Sequence, residues 1–597
     1  MALFTPSESP AVVVKEVDLT GGVPNVQTST GAYVGKFMWG PADQRTLVAN
    51  EEELTETFGA PDNSHSIDYH DAAYFLRYTN ALQLVRIADS SALNAVSTTG
   101  RRTSAKGAYA VGNYSVPTIK NPTAFDASET GLDSDGFTFI GRFPGTLGNS
   151  LQVSICPPSA SDSAFDGWTY KAQFDAAPGT GEFAAENDGT NDEVHVVVVD
   201  KNGAFTGTKG TVLETYPFLS VATNAVDLAD GSNLFVKDVI NTRSQYVHMV
   251  GFDSDFKNSG NAGTAITPGT TKDFLGSAVA LSSVQDFNFD SGANSGTLSA
   301  SQYLLAFDLF EDKDIVEVDF LIAPGMSSRA DQTATTNDLI AIAKSRKDCV
   351  VVTGPARSDV VNVTSEATAT TNITATAATL TRSSYAIVAG NYLKVYDKYN
   401  DKFIQIPASS SVAGLMAETD RVAAPWFSPA GTRRGLLLGV TSVDYNPNKT
   451  RRDTLYKAGV NPVVNLPGQG IILFGDKTHQ SRPSAFDRIN VRRLFLTLER
   501  AIERAAKNVL FEFNDEFTRA EFVNIVEPVL RDVKGRRGIT DFRIVADETV
   551  NTPAVVDRNE FIANIFIKPA RSINFVTLNF VAVRTGVSFE EVTGQAF

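Results

Sequence analysis

The sequence predicts a multidomain α/β and α+β chain: a discontinuous α/β core, β-rich material inserted into it, and a C-terminal helix-and-sheet domain with N- and C-terminal strands available for exchange. Three observations predict this. Strand–helix–strand grammar appears before residue 95 and returns after residue 300. Between them helical periodicity disappears, and Ser, Thr, Gly, Asn and Asp crowd around short β runs. The last third carries two helix-start signals followed by strand-forming sequence that continues almost to Phe597.

At the N-terminus, Val12, Val13, Val14 and Val17 lie in the β-branched run "AVVVKEVDL", bounded by Pro10 and Pro24. It reads as one strand without a hairpin partner, so residues 1–20 form an arm whose pairing is with a distant sheet or another molecule. "GAYVGKFMWG" is a strand stopped by Gly40-Pro41. "NEEELTETFG" is a short helix with Asn50 as N-cap and Gly59 at its end. "DYHDAAYFLRYT" is a second helix and "ALQLVRIA" a second buried strand. Residues 21–95 thus form an α/β half-unit lacking the rest of its sheet.

Residues 96–300 read as inserted, largely exposed β-rich material, with "EVHVVVVDKNGAFTG" as a hairpin turning at Asp200 to Gly203. Then "DIVEVDFLIAPG", "ATTNDLIAIAKSRKD" and "CVVVTGP" make a βαβ unit with a parallel strand pair. Residues 301–470 are expected to complete the core begun by 21–95. A Thr/Ala-rich tract from Thr364, "TSEATATTNITATAATLT", is low in complexity and reads as a mobile surface loop.

The domain at 471–575 has the clearest local grammar. Ser484 with Asp487 reads as a capping box opening a helix whose apolar face is Val491, Phe495, Leu498, Ile502, Ala505 and Val509. Thr518 with Glu521 reads as the start of a second helix, with Gly535 as its C′ residue. Arg531, Lys534, Arg536 and Arg537 cluster at that helix end. Cations there are favoured by the helix dipole, yet the last two lie beyond the turn and are free to meet a partner. A strand-like segment at 576–597, with Val587, Phe589 and Val592, ends the chain with nothing after it to cover an edge.

Composition narrows the function classes. The chain has 597 residues, 42% of them hydrophobic and 20% charged, enough for several cores. A net charge of −16 argues against nucleic-acid binding. From Arg451 to Arg543 the sign reverses, with 17 basic residues against 12 acidic ones. That fits either a solvated mixed-charge surface or contact with an acidic partner. With two cysteines, Cys156 and Cys349, disulfides are not the framework, and neither a secretion signal nor a membrane-spanning run is expected.

No P-loop, HExxH, CxxC or GxSxG motif appears, so neither a catalytic set nor a cofactor is expected. Gly468 and Gly470 read as a tight turn. His65, Asp68, His70 and Asp71 match no standard metal spacing and read as helix capping plus surface polarity. "DSDG" at Asp133–Gly136 lacks the other EF-hand ligands, and the glycosylation triplets at Asn113, Asn362 and Asn372 mean little without secretion.

The ordered set "FPGTLGNSLQV", "GTVLETYPFLS", "DGSNLFVKDVIN", "SRKDCVVV", "IPASSSVAGLMAETD", "APWFSPAG", "RRDTLYKAGVNPVVNLPGQGIILFGDKT" and "RPSAFDRINVRRLF" resembles contractile tail sheath proteins, in the long form of large contractile-tailed bacteriophages. The similarity runs from about residue 10 to the end and is weakest in 90–140 and 355–385. The resemblance implies a virion protein assembled in the host cytoplasm. It would polymerise with itself as stacked hexameric rings around a tail tube protein, meet baseplate and tail terminator proteins, and contract to drive the tube through the host envelope. Neither direct nucleic-acid contact nor membrane insertion is implied. The arms would add strands to neighbours, and Arg531, Lys534, Arg536 and Arg537 would face the tube. The alternative is the sheath of a phage-derived bacterial injection apparatus; a hydrolase-like α/β enzyme is a distant third, for want of a nucleophile–base set.

Overall fold

A computed structural model describes residues 29–97, 117–132, 138–159, 162–252, 261–274 and 283–573. Both arms, with Val12, Val13, Val14, Val17, Val587, Phe589 and Val592, and the Asp133–Gly136 turn lie outside the described residues. The chain divides into two compact units, the larger of which runs to Glu503 apart from the excursion 426–428.

In the larger unit, β1 (Gly31–Gly35), β2 (Arg45–Val48) and β3 (Leu82–Arg86) begin a sheet. Between β2 and β3 run α1 (Glu51–Phe58) and α2 (Ser66–Leu76). The α1 signals are as read: Asn50 accepts the Glu53 N–H at 2.9 Å, and Gly59 ends the helix at φ 77°. Next comes an antiparallel sheet built from β4 (Asn94–Ser97), β5 (Phe139–Pro144), β6 (Leu151–Cys156), β7 (Glu193–Asp200), β8 (Thr211–Ser220), β9 (Val247–Met249) and β10 (Gln285–Asp290). Its strand order is β9-β5-β4-β10-β6-β7-β8. The β7–β8 hairpin is present, but the return strand starts at Thr211 rather than directly after Gly203. The Asp200 carboxylate organises the longer loop by accepting the N–H groups of Gly203, Ala204, Phe205 and Thr206 at 2.8–3.0 Å.

After α3 (Ala300–Phe307), the first sheet resumes with β11 (Phe320–Ile322), α4 (Arg329–Arg346) and β12 (Val350–Thr353), the expected parallel βαβ unit. β13 (Ala386–Ala389), the hairpin β14 (Tyr392–Asp397) and β15 (Lys402–Pro407), and β16 (Val460–Asn461) follow. The completed sheet has the order β16-β13-β12-β11-β1-β3-β2, parallel except for the β2–β3 pair. β1 therefore pairs with β11, strands nearly 300 residues apart joined by register Gly31 to Phe320. Tyr33, Phe75, Phe320, Ile322, Val350 and Ile387 pack one face of this sheet with α2 and the later helix α6 (Ser409–Val422).

The Thr/Ala tract is not a loop. It forms α5 (Glu366–Thr379), with the Ser365 side chain accepting the Thr368 N–H. Ala369, Ile373 and Ala377, four residues apart, are buried in one cluster with Val388 and Leu455. Its threonines turn their hydroxyls back onto helix carbonyls, Thr370 to Glu366 at 2.8 Å and Thr371 to Ala367 at 3.0 Å. The β17 (Val463–Leu466) and β18 (Gly470–Leu473) hairpin places Gly468 and Gly470 in the expected tight turn, at φ 74° and 81°.

The boundaries of the next helix also differ. Ser484 accepts the Phe486 N–H of a short 3-10 turn, Ala485–Asp487, and α7 (Ile489–Lys507) begins beyond it. Val491, Leu498 and Ala505 are buried as expected and Phe495 and Ile502 half-buried, whereas Val509 lies past the helix end. The smaller unit holds residues 426–428 and the described chain from Arg504. It contains α8 (Glu516–Gly535) and the antiparallel pair β19 (Ile539–Val545) and β20 (Asn564–Pro569). Asp515, not Thr518, caps α8, accepting the Thr518 N–H at 2.8 Å.

Candidate assembly interface

The basic cluster sits at a helix end of specific geometry. Gly538 N–H donates to Val533 O at 2.8 Å and Arg537 N–H to Lys534 O at 3.1 Å, the two bonds of a Schellman motif. Arg537, at φ 67°, is therefore the left-handed C′ residue, and Gly535 is the last helical one. The displacement has a steric cause. A Cβ on Gly538 would lie 2.6 Å from Val533 Cγ1 and 3.0 Å from the Trp426 ring, so glycine is required where the chain crosses that indole.

Three of the four cations have partners within the unit. Arg531 meets Glu527 at 2.5 Å, Lys534 meets Asp541 at 2.9 Å, and Arg536 approaches Asp532 at 3.6 Å. The Lys534 hydrogen bond holds Asp541 below the usual carboxylate range. The Arg536 guanidinium lies 5.0 Å from the Trp426 ring centroid, while the indole N–H donates to Arg536 O at 3.1 Å. Among the described residues no carboxylate lies within ion-pair distance of Arg537, whose side chain is exposed.

Sequence reasoning missed an apolar surface beside the start of α8. Phe513 and Phe517 are 84% and 77% exposed, and Phe511, fully exposed, has φ 71°. Leu510 is exposed as well. Four large apolar side chains within eight residues of sequence are the mark of an interaction surface rather than scattered exposure. The signal was present in "VLFEFNDEF", where apolar residues follow the amphipathic α7 without a helical register. Among the described residues β19 and β20 form a sheet of two strands only, so each keeps one unpaired edge.

A second feature hidden from the sequence is the anchoring of α7 in the larger unit. Arg493 makes a two-pronged ion pair with Asp420, both bonds 2.5 Å, and donates to Met416 O at 3.1 Å. Arg500 meets Asp319 at 2.7 Å and donates to Val318 O and Asp348 O. Asp319 also accepts the Thr30 N–H at 2.9 Å. Burial pushes the Asp319 carboxyl up to about 6 in spite of the Arg500 charge. These arginines lie seven residues apart on the buried face, a spacing that reads as ordinary mixed charge when the partners are unknown.

The histidine-and-aspartate group is not brought together as a site, nor is it surface polarity. His65 and Asp62 pair at 2.6 Å, and His70 lies 3.1 Å from Asp397, with His65, His70 and Asp71 all buried. Asp397 also accepts the Ser66 hydroxyl at 2.8 Å and the Asn400 amide at 2.9 Å. The contacts of Ser66 and His70 with Asp397 cross-link α2 to the β14–β15 hairpin, reached by burial that helix periodicity alone did not show. Among the described residues no group of three or more His, Cys, Asp or Glu side chains is placed to hold a metal ion, and no helix is long and apolar enough to cross a membrane.

The chain matches two family models, the phage tail sheath protein central domain over residues 296–479 and the phage tail sheath C-terminal domain over 481–582. It is 33% identical to the tail sheath protein of Vibrio phage KVP40, over 98% of this chain and 99% of that one. The chain belongs to the phage tail sheath family. It is also 31% identical to the tail sheath protein of Enterobacteria phage T4, again over 98% and 99% of the two chains. The sheath fold is recognisable in a sheath tail protein of Listeria innocua, with a TM-score of 0.53 at 11% identity over 92% of this chain and 94% of that one. This sheath protein is thus a structural component of a contractile-tailed phage virion. Its C-terminal family region contains both the basic helix end and the exposed phenylalanines.

Proposed function

We propose that this sheath subunit polymerises with itself as stacked hexameric rings around a tail tube, and contracts from a metastable extended array to drive the tube through the host envelope. The observation that carries the reading is the smaller unit: an exposed aromatic loop and a two-stranded sheet whose outer edges are unpaired among the described residues. Such edges accept strands through main-chain hydrogen bonds, which can persist while rigid bodies exchange side-chain contacts. The arms at 1–20 and 576–597 supply strand-like sequence for that addition.

In this reading 471–575 is the polymerisation domain facing the tube, and Arg531, Lys534, Arg536 and Arg537 touch the tube in the extended state. The local pairs at Arg531, Lys534 and Arg536 suit reversible contact, because exposed pairs are individually weak and exchange at low cost. Residues 21–95 with 301–470 form the core that transmits rotation, and 96–300 faces outward. The array ends on baseplate and tail terminator proteins, and assembly takes place in the host cytoplasm. Helical stacking is what head-to-tail, non-closing contacts of one subunit produce. Negative-stain microscopy of the purified chain tests the proposal: hollow tubular polymers are expected, and discrete small oligomers at all concentrations would overturn it.

A further inference from the structure

Asp68 and Asp71 stand one turn apart on α2, on the face turned toward β1. Asp68 accepts the Lys36 N–H at 2.8 Å, and Tyr303 of α3 bears on the same carboxylate. Asp71 is fully buried, and among the described residues neither of its carboxylate oxygens has a hydrogen-bond partner. The hydroxyls that bear on it, Tyr33 of β1 and Ser410 of α6, are also fully buried and also unpartnered. A Cβ on Gly35 would lie 3.1 Å from Asp68 Cβ, so strand and helix are in close contact at the pair.

The charges around the pair compensate Asp68 in part and leave Asp71 without a cation among the described residues. Lys36, following β1, is the cation whose charge acts on Asp68, while Asp71 faces the like charge of Asp68. On β3, Arg86 is committed to main-chain carbonyls, and on β15, Lys402 reaches Asn63. On α6, Asp420 pairs with Arg493 and Glu418 with Arg421; on α1, Glu53 accepts the Ala49 N–H and Glu51 pairs with Lys398. Tyr303 is the titratable residue of α3, and Tyr392 of β14 lies near Asp71.

We propose that Asp68 and Asp71 form a proton-held latch: the folded subunit keeps at least one proton on the pair at neutral pH, and losing it to solvent in alkali loosens α2 from β1 and α6. A neutral Asp71 carboxyl can donate its proton to a neighbouring hydroxyl, whereas an ionised Asp71, fully buried, would face the half-buried Asp68 carboxylate as a like charge. Burial, then the Asp68 charge, pushes Asp71 well above the usual carboxylate range, and burial pushes Asp68 up to about 6 against the opposing Lys36 N–H and charge. Because both are raised, the pair's contribution is complete below the unfolded value of ~3.9 and falls as pH rises through the folded values. The protons belong to the pair rather than to either residue. The device would set an alkaline limit on subunit stability.

The test uses the full-length protein. In the wild type at pH 7, infrared difference spectra against Asp71→Asn should show the carbonyl band of a protonated carboxylic acid. From pH 6 to 10 the wild-type Tm should fall more steeply than that of Asp71→Asn, by on the order of a few degrees. Absence of that band, or equal slopes in the two proteins, would overturn the latch. If Asp71→Asn fails to fold, infrared titration of the wild type decides: a buried acid band lost together with α2 packing in alkali supports the latch, and none at neutral pH refutes it. A wild-type Tm that follows sodium or potassium concentration at constant ionic strength, and not pH, would assign the pair to a cation instead.

Discussion

The Arg86 guanidinium donates to the main-chain carbonyl of Pro144 at 2.6 Å, and so ties the last residue of β3 in the parallel sheet to the last residue of β5 in the antiparallel one. The same group donates to Phe37 O at 3.0 Å and Gly40 O at 2.7 Å. Burial pulls its pKa down to about 9, which still leaves it cationic at neutral pH. Arg86→Met would strand three buried carbonyls, each costing roughly 1–3 kcal/mol. The expected loss is at least about 3 kcal/mol, measured by denaturant unfolding of the full chain, and Arg86→Lys should recover little because it lacks the planar fork.

The pair Arg500–Asp319 behaves as a unit. Arg500→Met alone leaves a buried carboxylate and should cost about 3–5 kcal/mol. Adding Asp319→Asn, which retains an acceptor for the Thr30 N–H, should recover ~1–3 kcal/mol. A double-mutant cycle by denaturant unfolding checks this, and additive losses would show that the two side chains are uncoupled.

Asp397 sets an acid limit. Burial raises its pKa, but hydrogen bonds from Asn400 and Ser66, together with His70 at 3.1 Å, outweigh burial and bring it to about 2. The folded value is depressed, so its contribution is present above the unfolded value of ~3.9 and is lost as pH falls toward 2. Asp397→Asn should be less stable at pH 7 by about 1–3 kcal/mol, with a flatter acid-unfolding curve between pH 4 and 2, followed by circular dichroism.

Deleting residues 1–20, or everything after Thr585, should leave a folded, soluble monomer that no longer polymerises, because strand-like segments without a local partner pair between molecules. Circular dichroism reports folding and electron microscopy reports polymers. Normal long sheaths from either truncation would remove the arms from the assembly scheme.

Arg537 allows two roles to be separated. As the left-handed C′ residue it carries a strain of ~1–2 kcal/mol that glycine lacks, so Arg537→Gly should stabilise the chain by about 1 kcal/mol. Charge reversal at Lys534, Arg536 and Arg537 should abolish extended sheath on tubes while still permitting contracted-type polymers without tubes. Normal extended tails from the triple variant would show that the cluster only caps and pairs locally.

What could be read from the chain before its structure was local or ordered along it. Asn50 and Gly59 bound α1 because caps act within one helical turn. The strand, helix and strand from Phe320 to Thr353 were legible because apolar periodicity is a short-range property. The ordered fragments identified the family without any contact being known. The threonine tract misled because composition hid the four-residue spacing of Ala369, Ile373 and Ala377 that buries one face of α5. The end of α8 was misplaced because Gly535 looked like the left-handed residue, while the position was decided by the Trp426 ring packed on Gly538.

The sequence by itself determined the family, the alternation of strand and helix, and the absence of recognised catalytic motifs. The tertiary structure alone decided which charged residues are buried and what each of them meets. Arg500 finds Asp319 across 181 residues, Asp397 finds Ser66 across 331, and Asp71 finds no cation among the described residues. The reason is physical: a helix or strand is selected by neighbours a few residues away, whereas the free energy of a buried charge depends on groups that chain order leaves far apart until the sheet closes.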